Sequence, residues 1–273
     1  VAAQAAEGDI PIVALKLGRS EKARRAAVAH TGSLTGSDQL YDALFRQYGV
    51  LRVDDLDELG ETVKLLASER RPRGLGLGVF ASSGGECGLA SDLAAASGVE
   101  LPELEPQVRE ELAALLPPFA NPLNPLDITA AGWGSREINA GAAARLAATP
   151  GVDIVAYVGD VTRKSGTLAE TGWEPMIAGL ADAAAATDKP VAVINTITDV
   201  AYELTDALDA AGIIQLTGMR TAIRAIAHAG RYARWQEQRG PCPGTPAVNP
   251  IRRITALDLL PPPGSGAVSE TVV

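Results

Sequence analysis

Leu75-Gly76-Leu77-Gly78-Val79-Phe80-Ala81-Ser82-Ser83-Gly84-Gly85 decides the fold. Seven residues that are apolar or glycine end in four turn formers, and a helical pattern follows over about Glu86–Ser97. A continuous apolar run of this length is a strand buried on both faces, as in a parallel sheet. Working outward, the same unit recurs. Residues 106–116, 138–148, 174–186, 200–211 and 221–238 have helical spacing. Residues 152–158, 190–195 and 213–216 are short apolar strands. Glu100–Leu104 is short and extended, and the prolines of 121–129 mark a loop. Alternating strands and helices imply right-handed crossovers and a parallel sheet. About five strands fit a flavodoxin-like unit. Gly74-Leu-Gly-Leu-Gly78 enters a strand rather than leaving one, so it is not a dinucleotide fingerprint.

N-terminal to this unit the pattern is shorter. Ile12–Leu15 and Val50–Val53 read as strands. A helix over 38–48 carries Leu40, Tyr41, Leu44, Phe45 and Tyr48 on one face, and Gly49 stops it. Asp54 or Asp55 caps a second helix with Leu56, Leu59, Val63 and Leu66 at helical spacing. Two strands and two helices are too few for an independent doubly wound domain, so this part reads as a truncated unit. The expected organisation is therefore α/β. Residues 1–72 form the C-terminal part of one flavodoxin-like domain and 73–239 a second. Residues 240–273 form a Pro/Gly-rich linker with one extended stretch at Arg252–Leu259.

Between the first strand and the 38–48 helix lies Ala29-His30-Thr31-Gly32-Ser33-Leu34-Thr35-Gly36-Ser37-Asp38. Its glycines and hydroxyl residues read as a loop, and loops on rigid scaffolds carry chemistry. Imidazole exchanges a proton or a phosphoryl group near neutral pH. The other histidine, His228, reads as a helix-face residue with no acid beside it in sequence. Lys16 and Arg19 read as local cations or as a solvated strand end. Trp133, Trp173 and Trp235 read as packing.

The net charge of −9 argues against nucleic acid as a partner, since phosphate-backbone binding needs clustered Lys and Arg. Two cysteines, Cys87 and Cys242, offer neither a disulfide framework nor metal-ligand spacing, and a reducing cytoplasmic setting is the default expectation. No apolar run is long enough to span a bilayer, and no signal peptide is evident.

Several motifs occur in order. They are Ile12-Val-Ala-Leu-Lys-Leu-Gly-Arg-Ser20, His30-Thr-Gly-Ser-Leu-Thr-Gly-Ser-Asp38, Tyr41-Asp42 and Gly49-Val-Leu-Arg-Val-Asp-Asp55. Ser83-Gly-Gly85, Leu115-Leu-Pro-Pro118 and Asn124-Pro-Leu-Asp-Ile128 follow. The set, from about residue 10 to 238, resembles the NDP-forming (ADP-forming) acyl-CoA synthetases, relatives of succinyl-CoA synthetase. The resemblance implies an acid–CoA ligase in which His30 is phosphorylated in the catalytic cycle. Thr31 and Gly32 then shape the loop at the phosphate. Ser83, Gly84 and Gly85 supply a helix N-terminus to it, and Asn124 and Asp127 support the site. It also implies ATP/ADP, CoA and Mg2+, bound mainly in an ATP-grasp domain and a CoA-binding Rossmann domain of the same full-length chain or of a partner subunit. A small carboxylic acid would be the substrate and the assembly an oligomer. Neither flanking domain is recognisable here, and Val268-Ser269-Glu270 resembles the lead into an ATP-grasp domain. The expectation is the middle of a longer enzyme, not competent alone.

Two rival readings stand beside this one. The chain is alternatively a non-catalytic interaction or regulatory remnant of the fold. Gly85-Glu86-Cys87-Gly88 also resembles a nucleophile elbow, as in Cys-dependent amidotransferase-like hydrolases, where a helix N-terminus would lower the thiol pKa. That reading lacks the last glycine of the elbow and would need His228 as its base.

Overall fold

The computed structural model describes residues 1–23, 38–163 and 165–240. The His30 loop and the tail beyond Gly240 lie outside the described residues. The chain divides into two compact units, residues 1–56 with 235 onward, and residues 57–234.

The first unit contains helix α1 (Ala2–Glu7), strand β1 (Val13–Leu15), helix α2 (Asp38–Tyr48) and strand β2 (Leu51–Val53). β1 and β2 pair in parallel, with Val13 opposite Leu51. Arg52 projects from β2 onto α2, where it donates to Asp38 at 2.6 Å and also pairs with Asp42. That hydrogen bond holds the Asp38 carboxyl below its usual range. The expected apolar face of α2 is less enclosed than its spacing suggests. No residue of this helix is fully buried, and Leu40 is 70% exposed. Gly49 adopts φ +65°, and the Trp235 ring lies against it, so an added Cβ would come within 2.4 Å of that ring.

The second unit is the five-stranded sheet. Helix α3 (Leu56–Ala67) leads into β3 (Leu77–Ala81), α4 (Gly84–Ser97), α5 (Pro106–Leu115) and β4 (Leu126–Asp127). Then come α6 (Arg136–Ala148), β5 (Ile154–Val158), α7 (Trp173–Ala185), β6 (Val191–Asn195), α8 (Tyr202–Ala210), β7 (Ile214–Thr217) and α9 (Met219–Gln238). The strands are all parallel in the order β4-β3-β5-β6-β7. Counted within this unit the order is second, first, third, fourth, fifth, the flavodoxin-like arrangement. The parallel-sheet α/β class read from the sequence is therefore the class observed. Ser135 caps α6, its hydroxyl accepting from the Ile138 N–H at 3.2 Å.

Two local expectations need correction, and a third is refined. β4 lies inside the segment read as a loop. Two residues hemmed by prolines carry no strand period, and they pair only because the end of β3 offers a free edge. α4 begins at Gly84, two residues before the expected start, because two glycines hide a helix N-terminus from propensity. The stripe Leu56, Leu59, Val63 and Leu66 falls on a helix as expected but is buried only at Leu66. Leu56 is 72% and Val63 45% exposed, while Glu58, Glu61, Thr62, Leu65 and Leu66 are buried.

The buried acids explain that rotation. An edge strand must find partners for its outward backbone groups. On β7 the Thr217 N–H donates to Glu61 at 3.1 Å, and the Gln215 carbonyl accepts from Lys64 at 3.0 Å. One turn of α3 thus stands in for a sixth strand. Glu58, one turn earlier, accepts from His228 Nε2 at 2.6 Å and pairs with Arg224 Nε at 2.9 Å. His228 therefore does have an acid beside it, brought from 170 residues away. The opposite margin is closed in the same manner. Below the short β4 pairing, the Asn124 side chain accepts from the Val79 N–H at 3.0 Å and donates to the Leu77 carbonyl at 2.9 Å.

The core fills the space between the sheet and α5–α8, with Phe80, Leu112, Leu146, Tyr157, Trp173, Met176 and Leu180 fully enclosed. Trp173 is packing as expected, whereas Trp133 is 48% exposed. α6 and α7 meet at Gly179, where an added Cβ would lie 2.4 Å from the Arg136 carbonyl. Gly179→Ala must push the helices apart and is expected to cost about 1–3 kcal/mol, read as a lower urea midpoint with an unchanged m-value.

Burial pushes the His228 pKa below its usual 6.5, outweighing the hydrogen bond to Glu58. The neutral ring then carries its proton on Nε2 and donates it. The unfolded chain takes up a proton near pH 6.5 that the folded chain resists, so this histidine's contribution is present above that pH and is lost as pH falls below it. Urea unfolding between pH 8 and pH 5 should show stability falling by up to about 1.4 kcal/mol per pH unit from this group. His228→Gln should remove that part of the slope, and an unchanged slope would refute the assignment.

Candidate functional site

In this strand order the chain reverses direction between β3 and β5, and open α/β sheets bind ligands at the carboxyl ends of the strands at such a switch point. Here that place is flanked by Ser82-Ser83-Gly84-Gly85 after β3, by Asp127 at the end of β4 and by Gly159-Asp160 after β5.

Ser83 takes the N-cap position with extended φ −138° and ψ 122°, yet no side chain caps the helix. The first N–H groups of α4 are therefore presented at the crevice without an intrahelical partner. The two glycines differ in surroundings. An added Cβ on Gly84 would lie 3.0 Å from Asp127 Oδ2, whereas on Gly85 it would meet nothing closer than Ser83 Oγ at 3.6 Å. Gly85 is the open approach to the helix end.

The walls are polar and ordered. Ser82 Oγ lies 3.2 Å from the Tyr157 hydroxyl, and Tyr157 is held edge-on between Phe80 and Trp173 at centroid distances of 5.3 and 5.6 Å. Burial raises the Tyr157 pKa, so the phenol stays protonated. Glu86, on the first turn of α4, has its pKa raised by burial and next by the charge of Asp160. Asp127 accepts from the Thr129 N–H at 2.8 Å, and Thr129, at φ +58°, in turn caps the 3-10 turn 130–132.

The residues picked from sequence separate into three groups. Ser83, Gly84, Gly85 and Asp127 come together at the crevice. Asn124 lies at the margin of the sheet, and its amide is used up on the Leu77 carbonyl, the Pro102 carbonyl and the Val79 N–H. Its work is architectural. His30, Thr31 and Gly32 lie outside the described residues. Of the two cations, Arg19 pairs with Asp54 at 2.6 Å, and Lys16 sits 4.5 Å above the Tyr41 ring.

The nucleophile-elbow expectation for Cys87 is overturned. Burial, with the nearby charges of Asp127 and Glu86, pushes its thiol up to about 12, the reverse of what an exposed helix N-terminus does. Sequence reasoning missed Glu86, Tyr157 and Asp160. The available signal was position, because Asp160 is the first acid after a buried strand in a βαβ unit.

Residues 1–66 match the family described as the succinyl-CoA ligase like flavodoxin domain. The chain is 39% identical over 124 residues to the alpha subunit of an ADP-forming acetate–CoA ligase of Pyrococcus furiosus, a match covering 45% of this chain and 27% of that one. It is 32% identical over 118 residues to an ADP-forming 4-hydroxybutyrate–CoA ligase of Nitrosopumilus maritimus, covering 43% and 17%. The solved dinucleotide-forming acetyl-coenzyme A synthetase 1 of Candidatus Korarchaeum cryptofilum, in complex with phosphate and ADP, superposes with a TM-score of 0.71 at 26% identity. That likeness covers 86% of this chain and 49% of the solved one. The chain thus spans less than two thirds of each of these relatives.

Cys87 is expected to resist alkylation. In a Cys242→Ser background at pH 8, iodoacetamide should leave the folded chain unlabelled and label it in 6 M urea. Rapid labelling of the folded chain would restore the nucleophile reading.

The fold, the ordered motifs and these likenesses point the same way: residues 1–66 match the succinyl-CoA ligase like flavodoxin domain, and the chain is similar to part of several ADP-forming acyl-CoA ligases.

Proposed function

We propose that this chain is the part of an ADP-forming acid–CoA ligase that carries a phosphoryl group on His30 and docks it at the N-terminus of α4. The observation that carries the reading is the uncapped helix end at Ser83-Gly84-Gly85, set at the switch point of a sheet whose solved relative holds phosphate and ADP.

The chemistry is two displacements at phosphorus. A ring nitrogen of His30 attacks the phosphoryl group of an acyl phosphate, the N–P bond forms, and the carboxylate leaves with the bridging oxygen. A terminal oxygen of ADP then attacks the same phosphorus, the N–P bond breaks, and ATP leaves with neutral imidazole. The synthetic direction reverses both steps. Such a transfer needs positioning and electrostatic stabilisation more than covalent help. A helix N-terminus offers oriented N–H groups and about half a positive charge, worth roughly 0.3–1 kcal/mol to an anion. Gly85 leaves room for that anion to approach the backbone.

Among the described residues no group of three or more acids, histidines or cysteines could hold a metal ion. Mg2+ would enter with the nucleotide, and CoA and ATP would be held by CoA-binding and ATP-grasp domains in the same polypeptide or a partner subunit. No described helix is long and apolar enough to cross a membrane, and a reducing cytoplasmic setting is proposed from the cysteine usage. The acid is a small carboxylic acid. Residues 240–273 would serve as the linker toward the ATP-grasp domain.

The test is peptide mass spectrometry of the chain joined to those domains, or mixed with an ATP-grasp partner, after exposure to Mg-ATP. An acid-labile phosphate should appear on the His30 peptide, be discharged by ADP and be absent from His30→Ala. Gly85→Asp, which puts a carboxylate at the helix end, should slow phosphate transfer at least about tenfold while leaving the fold intact. No phosphate on a folded, nucleotide-bound assembly would refute the relay and leave a non-catalytic module of the same fold.

A further inference from the structure

A hydrogen-bonded relay crosses the sheet and ends at the switch point. Thr205 Oγ1 on α8 donates to Gln215 Oε1 on β7 at 2.8 Å. Gln215 Nε2 donates to Asn195 Oδ1 on β6 at 2.8 Å, and Asn195 Nδ2 donates to the Gly159 carbonyl, just past β5, at 2.8 Å. Asn195 is fully buried and Gln215 is 7% exposed. All three bonds point the same way, so each polarises the next. Fold stability alone does not require two buried amides in this register, since apolar residues of similar shape would fill the space without the need for matched partners.

The relay fixes one peptide plane. β5 lies between β3 and β6. The Gly159 N–H donates to the Ile194 carbonyl at 3.1 Å, and the Gly159 carbonyl accepts from Asn195, so both backbone groups of Gly159 face β6. In a trans peptide the next N–H points the opposite way, and backbone groups of successive strand residues face opposite neighbours. The Asp160 N–H therefore faces the β3 side, where β3 has already turned into Ser82-Ser83 and α4. Among the described residues it has no hydrogen-bond acceptor. The Asp160 side chain is held by Thr196, accepting from its N–H at 2.9 Å and from its hydroxyl. That clamp ties the loop after β6 to the end of β5.

We propose that the Asp160 backbone N–H is a further phosphate donor of the crevice, opposite the N-terminus of α4, and that Thr205, Gln215 and Asn195 are its positioning residues. The proposal rests on the phosphate-docking reading above and adds a second wall to it. One wall is a helix end, the other a single amide held from behind by the relay.

The experiment is a titration of the full chain, labelled with 15N in aspartate and glycine, with inorganic phosphate and with acetyl phosphate. The Asp160 peak is assigned by its loss in Asp160→Glu. The Asp160 and Gly85 amides should shift together in the wild type. Asn195→Asp keeps the shape but removes the donor to Gly159, and Thr205→Val cuts the far end without touching the buried amide pair. Each should weaken the Asp160 response about five- to tenfold, the scale of one hydrogen bond, while the Gly85 peak still shifts. A Gly85 shift without an Asp160 shift would overturn the second donor and leave the docking reading standing. Equal Asp160 responses in the wild type and in a folded Thr205→Val would overturn the relay. Silence of both amides toward both probes would overturn the docking reading itself, and the second donor with it.

Discussion

Every outward-facing backbone group of a parallel sheet must find a partner, and here side chains meet much of that demand at both margins. On one side Glu61 and Lys64 pair with Thr217 and Gln215 of β7. On the other Asn124 pairs with Leu77 and Val79 of β3, because β4 reaches only Phe80 and Ala81. The central strands, apolar except for Asn195 at the end of β6, can then stay wholly enclosed. With the margins satisfied, the carboxyl ends of β3, β4 and β5 are held in a fixed relation, and the crevice between them is an outcome of that constraint.

The same economy governs the polar residues at the crevice. Tyr157 is anchored by two aromatic rings, so its hydroxyl can reach Ser82 without freedom to leave. Asp127 is spent on the turn at Thr129, and Asp160 on the turn at Thr196. These carboxylates anchor the loops, and the N–H groups of the uncapped helix end stand beside them at Gly84-Gly85. Cys87, one turn into α4, is too deeply placed to act as a nucleophile.

The order of strands was legible because runs such as Leu75–Ala81 and Ile154–Val158 are apolar without interruption, and only a buried parallel strand asks for that. Ser83, Gly84 and Gly85 were legible because turn formers after such a strand mark a strand-to-helix corner. Glu58, Glu61 and Asn124 were not. Their partners lie 170, 156 and 45 residues away, and at sequence level an acid on a helix looks like a solvated face. The same limit hid Asn195 and Gln215. Asn195 ends an apolar run and reads as a boundary, Gln215 interrupts one, and only the fold reveals that the two amides meet.

The closure of β7 by α3 also bears on how the protein can be divided. Residues 70–74 look like a natural place to cut, being charged and interrupted by proline. A piece starting there would lose the helix that occupies the β7 margin, and would expose a strand edge able to recruit the same edge of another molecule. Beginning at Asp57 retains Glu58, Glu61 and Lys64, and with them the guard against that self-association.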